Sequence, residues 1–244
     1  MRNFLALFLL LAAAPGAAAR EHAFRVVSER TIAPAEFLPA GAPASLTVPL
    51  TVLAESGSQW AAPAALEKAL GKAAAVFARC GVALGAARAL EVAWSPGALE
   101  SLNLQDPYAG PSQLSVIDEP LIPARRPAVF LFGTSVPATA AAYSLSSVAQ
   151  LAQIAPEARK LLNTVWITED WHGRSWDPDF AGGDIAPSFS VLAHELAHLL
   201  GDLPHTPEAP NLMSEASGPG AKSGDLSPAQ CAEVRRLCGL RTAP

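Results

Sequence analysis

Apolar residues in this chain fall into short runs and longer amphipathic stretches, which together predict a mixture of strands and helices. The runs that predict strands are rich in β-branched or aromatic residues. They cover residues 46–54, 90–94, 128–132, 140–145 and 164–168. The stretches that predict helices are rich in Ala and Leu. They cover residues 61–79, 148–162, 187–200 and 228–237. Strands mixed with helices, with two helices at the end of the chain, predict an α+β domain.

Proline and glycine modify several of these predicted elements. Pro49 lies inside the first run, and because proline cannot donate a ladder hydrogen bond, this strand is either at a sheet edge or bulged. Gly201 follows the third helix and is expected to be its terminator, in the left-handed conformation. Ser227 and Pro228 are expected to begin the final helix, which should end before Gly239.

The N-terminal residues have the pattern of a secretory signal peptide over residues 1–19. Met1–Asn3 carry one positive charge, Phe4–Ala14 are apolar, and Ala17–Ala19 form a small-residue cleavage site. The apolar stretch is shorter than the roughly 20 residues that span a bilayer, so an uncleaved anchor is the less favoured alternative. We therefore expect an exported protein, periplasmic or extracellular, with no stable membrane anchor.

The rest of the chain is long enough for one domain with a full core. Residues 20–44 contain several Pro, Ala and Glu and are interpreted as an N-terminal extension or a short propeptide. The net charge is −5, and a mildly acidic surface argues against nucleic acid or an anionic membrane as a partner. We expect a monomer.

Three cysteines in an exported chain permit one disulfide and one free thiol. Cys231 and Cys238 are seven residues apart in a predicted helix, which separates their Cα atoms by about 10 Å, too far for a bond. Cys80 must then pair with one of them, and we favour Cys231. Three reduced thiols are the remaining alternative.

The run VLAHELAHLLG carries the residues that predict chemistry. His194 and His198 lie on one face of a helix, about 6 Å apart along its axis, so both imidazoles can reach one metal ion. Catalytic Zn²⁺ usually takes three protein ligands and keeps a fourth position for water. His205 is the expected third ligand, with Asp202 as a less accessible alternative. Glu195 is placed to take a proton from that water and not to bind the metal.

HELAHLLG followed by His205 and Met213 resembles the metzincin clan of zinc metallopeptidases, whose signature is HExxHxxGxxH with a later Met-turn. Here the third His falls one position late, after residues 202–204, which makes an HExxHxxGxxxH variant. The eight-residue interval from His205 to Met213 resembles the matrixin-like spacing.

This resemblance implies a zincin-type fold. Such a fold has a twisted mixed sheet, an active-site helix beneath it, and a C-terminal subdomain that carries the Met-turn and a final helix. It implies that residues 45–244 form a metzincin-like catalytic domain. It also implies that Met213 lies under the metal as a hydrophobic floor without binding it.

These patterns predict a secreted zinc-dependent metalloendopeptidase with one catalytic Zn²⁺. It would hydrolyse a protein or peptide substrate by Glu195-assisted attack of a zinc-bound water. The alternatives are a zincin-like, metal-containing binding module without turnover and a zinc hydrolase that acts on a non-protein amide. A buried helix whose two His pair with carboxylates is the purely structural alternative. Residues 214–224 are expected to line a specificity pocket.

Overall fold

The computed structural model describes residues 23–37, 46–101, 127–133, 142–145, 163–168, 170–171, 174–175, 190–215 and 222–242. Its strands are β1 (Phe24–Ile32), β2 (Leu46–Glu55), β3 (Val82–Trp94), β4 (Ala128–Phe132), β5 (Ala142–Leu145), β6 (Thr164–Thr168), β7 (Asp170–Trp171) and β8 (Arg174–Ser175). Its α-helices are α1 (Pro34–Phe37), α2 (Pro63–Arg79), α3 (Pro96–Ser101), α4 (Val191–Gly201) and α5 (Pro228–Thr242). Within these ranges no helix combines the length and apolar character that a membrane crossing requires. The predicted signal peptide, the helix over 148–162 and residues 187–189 lie outside the described residues.

Six strands form one mixed sheet in the order β1-β3-β2-β4-β6-β5. The four inner strands are mutually parallel, and β1 and β5 run antiparallel at the two edges. Every residue of β4 and β6 is buried, which is typical of parallel strands covered on both faces. The predicted combination of a mixed sheet with helices is confirmed.

Strand β2 lies in the middle of the sheet, between β3 and β4. The prediction that Pro49 places it at an edge is therefore wrong, whereas the alternative of a bulge is confirmed by a register shift between Val48 and Leu50. Gly85 of β3 lies opposite. A Cβ on Gly85 would lie 2.8 Å from Thr47 Cγ2 and 3.3 Å from Pro49 Cα, so glycine allows the bulged strand to approach.

Strand β1 belongs to the same sheet, although the sequence assigns its residues to an N-terminal extension. It pairs along its length with β3, and its end residues Phe24 and Ile32 are buried. Arg88 of β3 donates two hydrogen bonds to the Glu29 carboxylate, at 2.8 and 3.0 Å. The sheet therefore begins before residue 45. The two interpretations of residues 20–44, an N-terminal extension or a short propeptide, stay predictions.

Alternating side chains of the inner strands face two different sets of neighbours. Val129, Leu131, Val165 and Ile167 belong to the core that the sheet shares with α2, α4 and α5. The intervening aromatic residues stack on one another, with the Phe130 and Trp166 ring centroids 4.3 Å apart. Helix α4 is apolar nearly all round and is buried between the sheet and α5.

A disulfide joins Cys80, at the end of α2, to Cys231 in the first turn of α5. This is the pairing favoured from the sequence. Cys238 is a buried cysteine outside the disulfide, and its sulfur lies 3.9 Å from the Leu200 carbonyl oxygen of α4. The bridge thus links α2 to the helix that packs behind α4.

Helix α5 begins where the sequence predicts but continues past its predicted end. Ser227 Oγ accepts from Gln230 N at 3.2 Å, and Gln230 Oε1 accepts from Ser227 N at 2.8 Å, which is a capping box. The helix extends to Thr242, so the expected stop before Gly239 is wrong. A glycine costs a helix only about 1 kcal/mol, which neighbouring residues can offset.

Candidate metal centre

Helix α4 places two histidines and a glutamate at the centre of the molecule. Ser190 caps the helix, since its Oγ accepts from Ala193 N at 3.1 Å. His194 and His198 are one helical turn apart, so their rings project from one face. His194 and Glu195 are buried, and His198 is half-buried. The cap fixes where the helix begins, and the spacing places both imidazoles on one face of it.

The end of α4 differs from the prediction. Gly201 stays helical, and the left-handed residue is Asp202, with φ 47° and ψ 35°. Asp tolerates this conformation because its short polar side chain can hydrogen-bond locally. Gly201 serves packing instead, because a Cβ there would lie 2.7 Å from Val234 Cγ2 of α5 and 2.9 Å from Leu203 Cγ. Assigning Gly201 as the left-handed terminator is therefore wrong, since Gly201 is the last helical residue and Asp202 is the left-handed cap.

The turn after Asp202 brings His205 to the two helical histidines. His205 Nε2 lies 3.1 Å from His194 Nε2 and 3.2 Å from His198 Nε2. Tetrahedral zinc with Zn–N bonds of about 2.0–2.1 Å separates its ligand nitrogens by about 3.3–3.4 Å. The three nitrogens therefore fit one ion, and these histidines could hold a metal. Asp202 is exposed and is not part of this group.

Backbone carbonyls orient the two helical imidazoles. His194 Nδ1 donates to the Leu212 carbonyl at 2.7 Å, and His198 Nδ1 donates to the Leu203 carbonyl at 2.5 Å. With the proton on Nδ1, each Nε2 presents its lone pair to the centre. Burial lowers the pKa of His194 to about 3 and that of His198 to about 4, and it also lowers the pKa of His205. All three rings are thus neutral near pH 7, the form that binds a metal.

Met213 lies in the irregular segment that carries these carbonyl contacts. Its side chain is fully buried, and its backbone N–H donates to Asn211 Oδ1 at 2.8 Å. Its carbonyl accepts from Thr206 N at 2.9 Å, which ties the segment after His205 to the turn at Met213. Met213 is also adjacent to Leu212, whose carbonyl orients His194. The segment therefore supports the centre from one side.

Glu195 is buried beside the three histidines without belonging to their group. Burial raises the pKa of Glu195 to about 8, whereas a hydrogen bond from Ser144 and the charge of Lys222 act in the opposite direction. Among the described residues, Glu195 Oε2 has no hydrogen-bond partner. A cation held by the histidines would favour the carboxylate form. Glu195 then has one oxygen available as a proton acceptor.

Two residues near Glu195 were not singled out from the sequence, although Lys222 lies within the predicted pocket segment over 214–224. Ser144 lies in edge strand β5, and Lys222 is half-buried in the segment that precedes α5. The charge of Lys222 acts on Glu195 and on each of the three histidines. Neither residue belongs to a motif, so only the fold brings them to the centre. Of the predicted pocket over 214–224, residues 216–221 lie outside the described residues.

A solved bacterial structure is similar to this chain. It is metalloproteinase-II from Bacteroides fragilis, with 17% sequence identity and a TM-score of 0.49. The similarity covers 82% of this chain and 55% of that chain, so this chain spans about half the length of that protein. No protein-family model matches the chain, and no curated protein matches it. We therefore infer the function from the geometry of the centre.

Proposed function

We propose that this chain is a secreted zinc-dependent metalloendopeptidase of the metzincin type. The observation that carries the proposal is the convergence of three neutral His Nε2 atoms beside a buried carboxylate that is not one of their group. A structural histidine pair would have carboxylate partners. The Nδ1 atoms of His194 and His198 instead donate to backbone carbonyls, and the Nε2 atoms are directed at a common point with His205.

The three histidines would hold one Zn²⁺, and the fourth position would stay open for water. A zinc ion held there would lower the pKa of that water and polarise the scissile carbonyl. Glu195 accepts the proton as the water oxygen bonds to the carbonyl carbon and the carbonyl π electrons move to oxygen. Glu195 then returns the proton to nitrogen as the C–N bond breaks, so the amine leaves neutral. Ser144 holds the carboxylate in place for both transfers.

Edge strand β5 supports a peptide as the substrate. Among the described strands β5 pairs only with β6, so it forms an edge of the described sheet. Ser144 of this strand reaches Glu195, which places this edge next to the centre. An extended peptide can add to such an edge through its main chain. This mode of binding suits an endopeptidase because it needs neither terminus of the substrate.

The metzincin assignment and the export assignment are finer parts of the same proposal. Met213 would form the apolar floor of the centre, consistent with its complete burial one residue after Leu212. The Cys80–Cys231 disulfide is compatible with an oxidising compartment such as the periplasm or the medium. The signal peptide over residues 1–19 would direct the chain there.

The substitution Glu195→Gln tests the proposed function. We expect the variant to keep one zinc per chain and to lose at least about 10²–10⁴-fold in kcat, because the amide cannot accept the proton. Metal content and cleavage of a peptide library are measured together. The matched control is Glu208→Gln, because Glu208 is exposed on the segment after His205.

The same measurements separate the alternatives. A Glu195→Gln variant that cleaves at the parental rate would show that Glu195 is not the base. A wild-type protein that binds zinc stoichiometrically but cleaves no library member would instead be a zincin-like binding module.

A further inference from the structure

The backbone of Lys222 lies against the segment that orients His194. Lys222 forms a parallel β-bridge with Asn211, and Leu212 N donates to the Asp225 carbonyl at 2.7 Å. The chain from Lys222 to Asp225 therefore runs beside Asn211 and Leu212. Because the Leu212 carbonyl accepts from His194, Lys222 is fixed next to the wall of the centre.

The side chain of Lys222 brings a positive charge to the same place. It is half-buried on a segment bridged to Asn211, and its charge acts on Glu195 and on all three histidines. Burial lowers the pKa of Lys222, and the Glu195 carboxylate opposes that shift. A partly desolvated ammonium interacts more strongly with nearby charge than an exposed one does.

A metal ion held by the histidines would repel the Lys222 ammonium, whereas the Glu195 carboxylate attracts it. Further negative charge that develops nearby adds to this attraction. During hydrolysis that charge develops on the carbonyl oxygen of the scissile peptide bond, as the water oxygen bonds to carbon and the π electrons move to oxygen. Charges placed in advance for such an oxyanion are among the largest contributions to catalysis.

We propose that Lys222 is a further catalytic residue of this centre, whose ammonium stabilises the oxyanion of the tetrahedral intermediate. The inference depends on the proposed peptidase function. Lys222 transfers no proton: the water proton goes to Glu195 and from there to the leaving nitrogen. The ammonium only offsets the negative charge until the C–N bond breaks and the carbonyl re-forms.

The first test compares the steady-state kinetics of Lys222→Met, Lys222→Arg and the wild type, each as the full zinc-loaded chain. We expect Lys222→Met to lower kcat by about 10²–10³-fold, the usual effect of removing one oxyanion donor. KM should change little, and Lys222→Arg should recover part of kcat because it keeps the charge. Lys68→Met is the matched control, because Lys68 is exposed on α2; it should behave as wild type.

The second test measures zinc affinity of the metal-free proteins by competition with a chelator. We expect Lys222→Met to bind zinc severalfold more tightly than wild type, because one like charge has been removed. Lys222→Arg and Lys68→Met should match the wild type. A merely structural role for Lys222 predicts the opposite, weaker zinc binding together with a lower melting temperature.

Several results would overturn the inference. An unchanged kcat with a KM increase confined to acidic substrates would make Lys222 a specificity residue. Weaker zinc binding in both Lys222 variants would make it structural. A wild-type protein that cleaves no peptide overturns the proposed function as well, whereas wild-type cleavage with normal kcat in Lys222→Met overturns this inference alone.

Discussion

Main-chain carbonyls orient the imidazoles of His194 and His198. The Leu212 and Leu203 carbonyls accept from their Nδ1 atoms, so no side-chain substitution at those positions removes the hydrogen bonds. Such partners fix both the tautomer and the direction of a metal-binding imidazole. The centre is therefore preorganised by the path of the backbone after α4. His205, which is exposed, is the least constrained of the three.

The first residue-scale prediction separates the two candidate third ligands. We expect His205→Ala to weaken zinc binding by more than about 100-fold, since loss of even an outer partner weakens it by about 10–100-fold. Asp202→Asn should retain zinc, because Asn also tolerates the left-handed conformation and Asp202 lies outside the histidine group. Zinc affinity measured by chelator competition checks both variants. Loss of zinc in Asp202→Asn with retention in His205→Ala would assign the third ligand to Asp202.

At the scale of elements, helix α5 packs against α4, the helix that carries two histidines of the centre, and so supports its position. Val234 and Cys238 of α5 are buried against α4, and Gly201 lets the two helices approach closely. The Cys80–Cys231 disulfide anchors the first turn of α5 to the end of α2. We therefore expect a substitution at this contact to change the free energy of unfolding more than it changes the chemistry of the centre.

This contact gives a prediction with a control in the same chain. We expect Gly201→Ala to lower the free energy of unfolding by about 1–3 kcal/mol, because its Cβ would lie 2.7 Å from Val234 Cγ2 and overpack the contact. Gly239→Ala should instead be neutral or stabilise by about 0.5–1 kcal/mol, because no atom lies within 4 Å of its Cβ. Denaturant unfolding of both variants measures the difference. Equal free energies of unfolding for the two variants would show that the α4–α5 contact does not require glycine.

At the scale of the whole molecule, the sheet extends from β1 at one edge to β5 beside the centre. Strand β1 buries Phe24 against Trp94, with ring centroids 5.0 Å apart, and it buries Ile32 completely. The far edge of the sheet therefore contributes to the stability of the domain, whereas the near edge contributes to the proposed function.

Removing residues 20–44 tests whether this segment is a dispensable propeptide. We expect a chain that begins at residue 45 to lose several kcal/mol of unfolding free energy, because burial of Phe24 and Ile32 stabilises by about 1.5–3 kcal/mol each. Thermal and denaturant unfolding of the two chains gives the comparison. If the shorter chain were equally stable and the exported protein began near residue 45, the segment would be a propeptide.

The sequence alone determined the parts of this protein that depend on local spacing. The predicted strands over 128–132 and 164–168 coincide with β4 and β6. The reason is that a short buried apolar run next to Pro or Asn indicates from the sequence alone where a strand lies. The placement of His194 and His198 on one helical face follows from helix geometry alone. Helix geometry excluded a Cys231–Cys238 bond and left Cys80 to pair with either of them, and the structure contains the favoured Cys80–Cys231 bond.

Only the tertiary structure decided what depends on segments distant in the sequence. The pairing of β1 with β3 could not be read from its residues, because strand pairing depends on the partner and its register. The left-handed residue is Asp202, and Gly201 instead lies against Val234 of α5. Ser144 and Lys222 reach Glu195 from distant segments because the sheet edge and the chain before α5 meet at α4. The local periodicity of the sequence predicts a helix and the residues that share one face of it. Packing between elements decides which distant residues contact that face.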